Sequence, residues 1–157
     1  MHGFVSHFTN KLDAKGRVSI PASFRSVLAR DGFEGLYCYP SPYLAAVDAG
    51  GNALLSEIDA RLAGIDTFTP EYDFMSTALY GNSEILKVDG EGRVVLSDLI
   101  LAHAGIADRA VFVGQGYKFQ IWSPEAFEAH RAESMRRTLD VIARTRRPSA
   151  APAGAGE

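Results

Sequence analysis

The sequence predicts an α+β fold, mainly β, built from two tandem repeats with flanking helices and a C-terminal helix. Two observations predict the doubling. The stretch LDAKGRVSIP, residues 12–21, returns as VDGEGRVVLS, residues 88–97: an apolar residue, Asp, two variable residues, Gly, Arg, then an alternating apolar run. After each copy the chain also follows one order, a short helical pattern, a hairpin pattern and a longer helical pattern, and such internal repetition redefines a fold. A third observation, the helical pattern over 124–145, supplies the C-terminal helix.

Each element can be justified in turn. Asp at the first position and Gly at the fourth of DAKG (13–16) and DGEG (89–92) is the signature of a type I turn. The Asp carboxylate bonds N–H groups two residues on, and the Gly accepts the positive φ needed where the chain re-enters a strand. Val18 and Ile20, like Val94 and Leu96, then point into the core on a two-residue period. Pro21 suits the first position of a helix whose apolar face carries Phe24, Val27 and Leu28, with Asp31-Gly32 as its stop. Ser97 is the expected N-cap of the matching helix, and Gly105 its C′ residue. The hairpins read LYCY–PSP–YLAAV and AVFV–GQG–YKFQIW. Helical patterns follow at NALLSEIDARLAGI and PEAFEAHRAESMRRTLDVIART, and Pro70 is expected to start a short helix ending near Gly81. The Ala-, Pro- and Gly-rich tail over 146–157 is expected to be disordered.

The 157 residues carry a net charge of −3, unevenly placed. Residues 1–30 sum to +4, residues 31–84 to −8, residues 85–110 to −1 and residues 111–157 to +2. Basic charge therefore gathers at the first motif and in the C-terminal region, with an acidic block between them. The one cysteine, Cys38, excludes a disulfide within the chain and suits a reducing compartment. No run approaches the roughly 20 apolar residues of a membrane span. The opening residues carry no apolar core of signal-peptide length, so the expected location is the cytoplasm, with no membrane partner.

A turn needs nothing particular just after its Gly, yet Arg17 and Arg93 stand there in both copies. Asp13 can pair with Arg17 and Asp89 with Arg93, holding each guanidinium in one pose. A fixed Arg fork grips phosphate or reads the O6/N7 edge of guanine in the major groove. An exposed Asp–Arg pair adds little stability, so positioning is the more interesting role. Taken singly, each copy reads first as a plain hairpin turn; it is the arginine repeated in both that a turn does not require.

The pattern F-T-x-x-x-D-x-K-G-R-x-x-I-P-x-x-F-R at Phe8 to Arg25, with the second D-x-x-G-R at Asp89 to Arg93, resembles the MraZ family over about residues 1–145. That family is similar to the AbrB and SpoVT regulators. The resemblance implies a double-psi or swapped-hairpin barrel of two AbrB-like half-barrels, over 5–50 and 79–123. Residues 51–78 would be an inter-repeat helical segment, 124–145 the C-terminal helix and 146–157 the tail. It also implies a ring-shaped homo-oligomer, associated with the nucleoid. Its function would be transcription regulation, by binding short direct repeats in double-stranded DNA upstream of the division and cell-wall gene cluster, including its own gene. DNA contact transfers by position to Asp13, Arg17, Asp89 and Arg93, with Lys15 and Lys11 beside the first turn. No cofactor or metal is implied. The second copy departs from the first: Glu91 replaces Lys15 and Ser97 replaces Pro21, so the first half is expected to supply more of the electrostatic grip.

Other residues fit blander roles. His2, His7, His103 and His130 form no recognisable metal-ligand spacing with Cys38, and His103, aligned with Val27 on the apolar helix face, suits a buried or boundary position. Phe4, Phe8, Phe24, Phe119 and Trp122 could stack on bases, but their spacing suits a core. Paired aspartates on two homologous halves bring aspartic proteases to mind. Those need Asp-Thr/Ser-Gly, and an Arg beside each Asp opposes a shared proton. An enzyme is therefore not expected. The rival to a DNA-binding regulator is a protein-binding or structural ring.

Overall fold

The structure, a computed structural model, describes residues 3–146. The expectation for the tail falls outside these, apart from Arg146. The described chain forms two units, one up to Ala126 and one from Phe127 onward.

The first unit opens with β1 (His7–Lys11), the turn at 13–16 and β2 (Arg17–Ser19). Helix α1 (Ala22–Asp31) follows, then β3 (Leu36–Pro40), β4 (Ala46–Gly50) and α2 (Asn52–Ala63). Pro21 takes the capping position rather than the first helical one, and Gly32 stops α1 with φ 83°. The hairpin connection is longer than the sequence suggests, because Tyr43 and Leu44 stay in the loop. Ser41 Oγ holds that loop by accepting from the Leu44 N–H at 3.1 Å.

Helix α3 (Pro70–Ser76) begins on a Thr69 cap and runs into a π-helical turn, Thr77–Gly81. The second half then repeats the first with β5 (Glu84–Leu86), the turn at 89–92, β6 (Arg93–Val95) and α4 (Asp98–Ala104). Strands β7 (Arg109–Gly114) and β8 (Phe119–Trp122) follow. Ser97 Oγ accepts from the Ile100 N–H, and Gly105 ends α4 at φ 66°. Both caps are the ones read from the sequence.

Among the described residues, six strands form one antiparallel sheet in the order β1-β7-β8-β4-β3-β5, and β2 pairs with β6 in a separate ribbon. Exchanging the halves (β1 with β5, β3 with β7, β4 with β8) reverses this order onto itself. The halves are therefore interlocked. Each lends its first strand to the other's hairpin, β1 to β7 and β5 to β3. Among the described residues the ladders do not close a barrel. β1 and β5 remain edges of the sheet, and the three-residue β2 and β6 pair with each other.

The core sits between the sheet, the ribbon, α1 and α4. Val18, Val94, Ile20, Phe24, Leu36, Val47, Ile100, Phe112, Phe119 and Ile121 are fully buried there. Phe4, Phe24 and Phe119 meet edge-on or tilted, 4.9–5.3 Å between centroids, so these aromatics are core residues. A second cluster joins Tyr37 and Tyr39 to Leu54, Ile58 and Leu62 of α2. Both tyrosine hydroxyls resist ionisation because of burial, Tyr37 being raised to about 12.

The second unit is the bulk of α5 (Pro124–Thr145). Every residue from Met135 to Arg146 is exposed, and Glu133 pairs with Arg136 and Arg137 along the helix.

Candidate nucleic-acid interface

The two turns are built alike, hydrogen bond for hydrogen bond. In the first, the Gly16 N–H donates to the Asp13 carbonyl at 3.0 Å, and the Asp13 N–H to the Arg17 carbonyl at 2.9 Å. Gly92 to Asp89 and Asp89 to Arg93 repeat both bonds at the same lengths. Gly16 and Gly92 both take φ 79°. This is a type I turn closed by a left-handed residue, the common three-residue hairpin loop. The plain turn reading is thus the right local one. The flanking strands nevertheless part at once, since β1 pairs with β7 and β2 with β6.

Each aspartate organises its turn. Asp13 Oδ1 accepts from the N–H groups of Lys15 and Arg17, both at 2.9 Å, and Oδ2 from Arg17 Nε at 2.6 Å. Asp89 does the same for Glu91 and Arg93, with Arg93 Nε at 2.9 Å. Both carboxyls are held below their usual 3.8, chiefly by the backbone N–H of the arginine four residues on. Arg93 is in turn held more firmly charged, chiefly by its bond to Asp89, and the field of Asp13 also reaches it.

The ribbon sets where the arginines point. Arg17 lies opposite Val95, Val18 opposite Val94, and Ser19 opposite Arg93. Val18 and Val94 are 1% exposed and face the core. Alternation then sends Arg17, Ser19, Arg93 and Val95 to the outward face. Arg17 and Arg93 are diagonal neighbours, with Cα atoms about 7–8 Å apart. The ribbon ends are tied crosswise: the Ile20 N–H donates to the Gly92 carbonyl at 2.9 Å and the Leu96 N–H to the Gly16 carbonyl at 3.2 Å.

Of the sequence-predicted residues, Asp13, Lys15, Arg17, Asp89 and Arg93 meet at this ribbon. Lys15 is exposed at the tip of the first turn. Glu91 holds the same place in the second and draws Arg93 Nη2 to 3.1 Å. Lys11 is set apart. It lies opposite Arg109 on β1, on the sheet face away from Phe8 and Asn10, which turn toward Phe24 and Ser19. His103 Nε2 lies 3.0 Å from the Leu44 carbonyl, which suits a boundary residue.

Sequence reasoning missed Arg25. Its side chain lies over Gly92, its Nη1 donates to the Ile20 carbonyl, and it borders the groove formed with Phe8, Asn10 and Ser19. The available signal was a break in the repeat, since the equivalent position, 76 residues on, is Leu101.

No described helix is long and apolar enough to cross a membrane. A family model described as "MraZ protein, putative antitoxin-like" matches residues 79–146. The chain is 60% identical over 141 residues to a protein of Beijerinckia indica named transcriptional regulator MraZ, covering 90% of this chain and 86% of that one. It is 55% identical to the protein of the same name from Methylocella silvestris, covering 97% and 93%. Against that from Xanthobacter autotrophicus the identity is 54%, covering 90% of each. With its turn motif written twice, and with relatives this close over nearly their whole lengths, the chain belongs to the MraZ family, a family of transcriptional regulators and not of enzymes.

Proposed function

We propose that this protein is a sequence-specific DNA-binding regulator whose ribbon face enters the major groove. The observation that carries the reading is the pair Arg17 and Arg93, each braced by its own aspartate and both on one outward face. A two-stranded ribbon fits the roughly 12 Å width of the major groove, and an Arg fork suits guanine O6/N7. Lys15 adds attraction to phosphate at the first turn. Lys11 acts at its margin, as a longer-range cation.

The target is short direct repeats upstream of the division and cell-wall gene cluster, including the protein's own gene. Several copies in a ring present the ribbon repeatedly, so that weak single contacts combine by avidity. That supports tight binding by a chain of net charge −3. The self-matching strand order supports two AbrB-like repeats over 5–50 and 79–123, joined by 51–78 and followed by the helix 124–145. Such a regulator works in the cytoplasm, on the nucleoid.

A second reading, a protein-binding ring, is favoured by Phe68 and Phe74, 96% and 74% exposed within the acidic block. One titration separates the two. Purified protein is bound to labelled DNA from upstream of its own gene and to a scrambled duplex, across a salt series, beside Arg17→Ala and Arg93→Ala. Preference for the native duplex, lost in both variants with a shallower salt slope, supports the regulator. A folded wild type that ignores DNA at low salt leaves the protein-binding ring.

A further inference from the structure

We propose that Arg25 is a positioning residue that clamps the second turn, so that Arg93 is presented in a fixed pose while the first turn stays adaptable. The consequence for DNA rests on the regulator reading; the clamp itself does not.

Three observations carry it. A Cβ built on Gly92 would stand 2.3 Å from Arg25 Cδ and 2.7 Å from Nε, so the arginine stem lies directly on that residue. Arg25 Nη1 also donates to the Ile20 carbonyl, and the N–H of that same residue donates to the Gly92 carbonyl at 2.9 Å. Helix α1, the Ile20 backbone and the second turn are therefore linked in one short circuit. Thirdly, the pseudo-equivalent turn lacks this link. A Cβ on Gly16 would meet no atom within 4 Å, and Leu101 stands where the repeat would place an arginine. Gly92 is accordingly buried and Gly16 only half-buried.

The guanidinium suits this work. Its planar fork can bond a carbonyl while its stem covers a peptide. Among the described residues no carboxylate lies within ion-pairing distance of Arg25, whereas Arg17 and Arg93 are both paired. Its charge is thus spent on a backbone carbonyl. The glycine opposite it takes the φ of 79°, and its missing Cβ leaves the room that the Arg25 side chain occupies. The two halves then divide the task. Among the described residues, Arg93 pairs with Asp89 and Glu91 and stands on the clamped turn, while Arg17 pairs with Asp13 alone.

The test compares full-length wild type with Arg25→Ala, Arg25→Leu and Arg25→Lys. Leucine reproduces the packing of Leu101 and guards against a variant that merely unfolds. Hydrogen exchange is followed in peptides covering 88–95 and 12–19. The expected result is exchange faster by about tenfold or more over 88–95 in the Ala and Leu variants, with 12–19 unchanged and Lys intermediate. Preference for the native upstream duplex over the scrambled one should fall several-fold, with an unchanged salt slope. Equal acceleration in both turns, or none, overturns the clamp. A slope shallower by about one unit with unchanged exchange also overturns it, because Arg25 would then be a direct phosphate contact. A wild type that ignores DNA refutes the regulator reading, and the exchange result decides the clamp by itself.

Discussion

Val18 and Val94 lie directly opposite each other at the centre of the two-stranded ribbon, and the chain's two halves turn about that pair. Each is 1% exposed, and each is flanked by an outward residue of its own half on either side. The pair therefore anchors the arginine face to the core. Truncating Val94 to Ala removes two buried carbons and leaves a cavity, an expected loss of about 2 kcal/mol in urea unfolding. Val18→Ala should cost about the same. The double variant should depart from the sum, because the two side chains meet. Additive losses would show that they do not share one packing site.

Under the proposed DNA-binding reading, Arg17→Lys separates charge from geometry. Lysine keeps the attraction to phosphate but lacks the planar fork that Asp13 holds through Nε. Nonspecific binding and its salt slope should stay near wild type. Discrimination between native and scrambled duplexes should fall by about 1–3 kcal/mol, the worth of one bidentate base contact. Arg93→Lys should behave alike. Anisotropy titrations at fixed salt measure both effects.

The aspartates make a prediction about acid. Both carboxyls ionise below their usual 3.8 in the folded protein. A depressed folded value means that their stabilising effect is present above the unfolded value and is lost as pH falls through the folded one. The turns should therefore hold through neutral and mildly acidic pH and loosen below about pH 4. Asp13→Asn and Asp89→Asn should be less stable than wild type at neutral pH and should lose less on acidification. Urea midpoints taken from pH 6 down to pH 3 check this, and parallel curves for all three proteins would refute it.

Local chemistry made much of this molecule legible in advance. The turns, the Ser97 cap, the Gly32 and Gly105 stops and the bounds of α5 all depend on neighbours within a few residues. Strand partners do not. Nothing near Thr9 shows that it will lie opposite Val111, because that pairing depends on packing across a hundred residues of chain. The same limit hid the open ends of the sheet, where the resemblance implied a barrel. It also hid Arg25 on Gly92, which joins one half's helix to the other half's turn. Of the candidate residues, Asp13 and Arg17, like Asp89 and Arg93, come together as the sequence suggests because each pair is local, whereas Lys11 stands on β1, off the ribbon.

A part-buried ion pair on a buried aspartate, which the sequence did not announce, gives a further test. Lys118 Nζ lies 3.0 Å from Asp48 Oδ2, with side chains 14% and 6% exposed. Gln120 Nε2 donates to Asp48 Oδ1 at 2.8 Å, and Trp122 Nε1 to Gln120 Oε1 at 3.0 Å. The network spans β4 and β8, where Asp48 lies opposite Gln120 at the seam between the halves. Lys118→Met should cost about 3–5 kcal/mol, since it leaves a buried carboxylate with its cation gone. Asp48→Asn with Lys118→Met should recover part of that loss. A single variant as stable as wild type would mean that water reaches Asp48.

The glycines of the two turns offer the sharpest comparison. Both have φ 79°, so alanine should strain both, by about 1–2 kcal/mol. Only at Gly92 must the new methyl also displace a side chain, that of Arg25. Gly92→Ala should therefore destabilise more than Gly16→Ala. In an Arg25→Ala background the excess should disappear, because the obstacle is gone, while the common backbone strain remains. A double-mutant cycle in urea isolates this coupling. A zero coupling energy would mean that Arg25 swings aside at no cost, and the second turn would then be as free as the first.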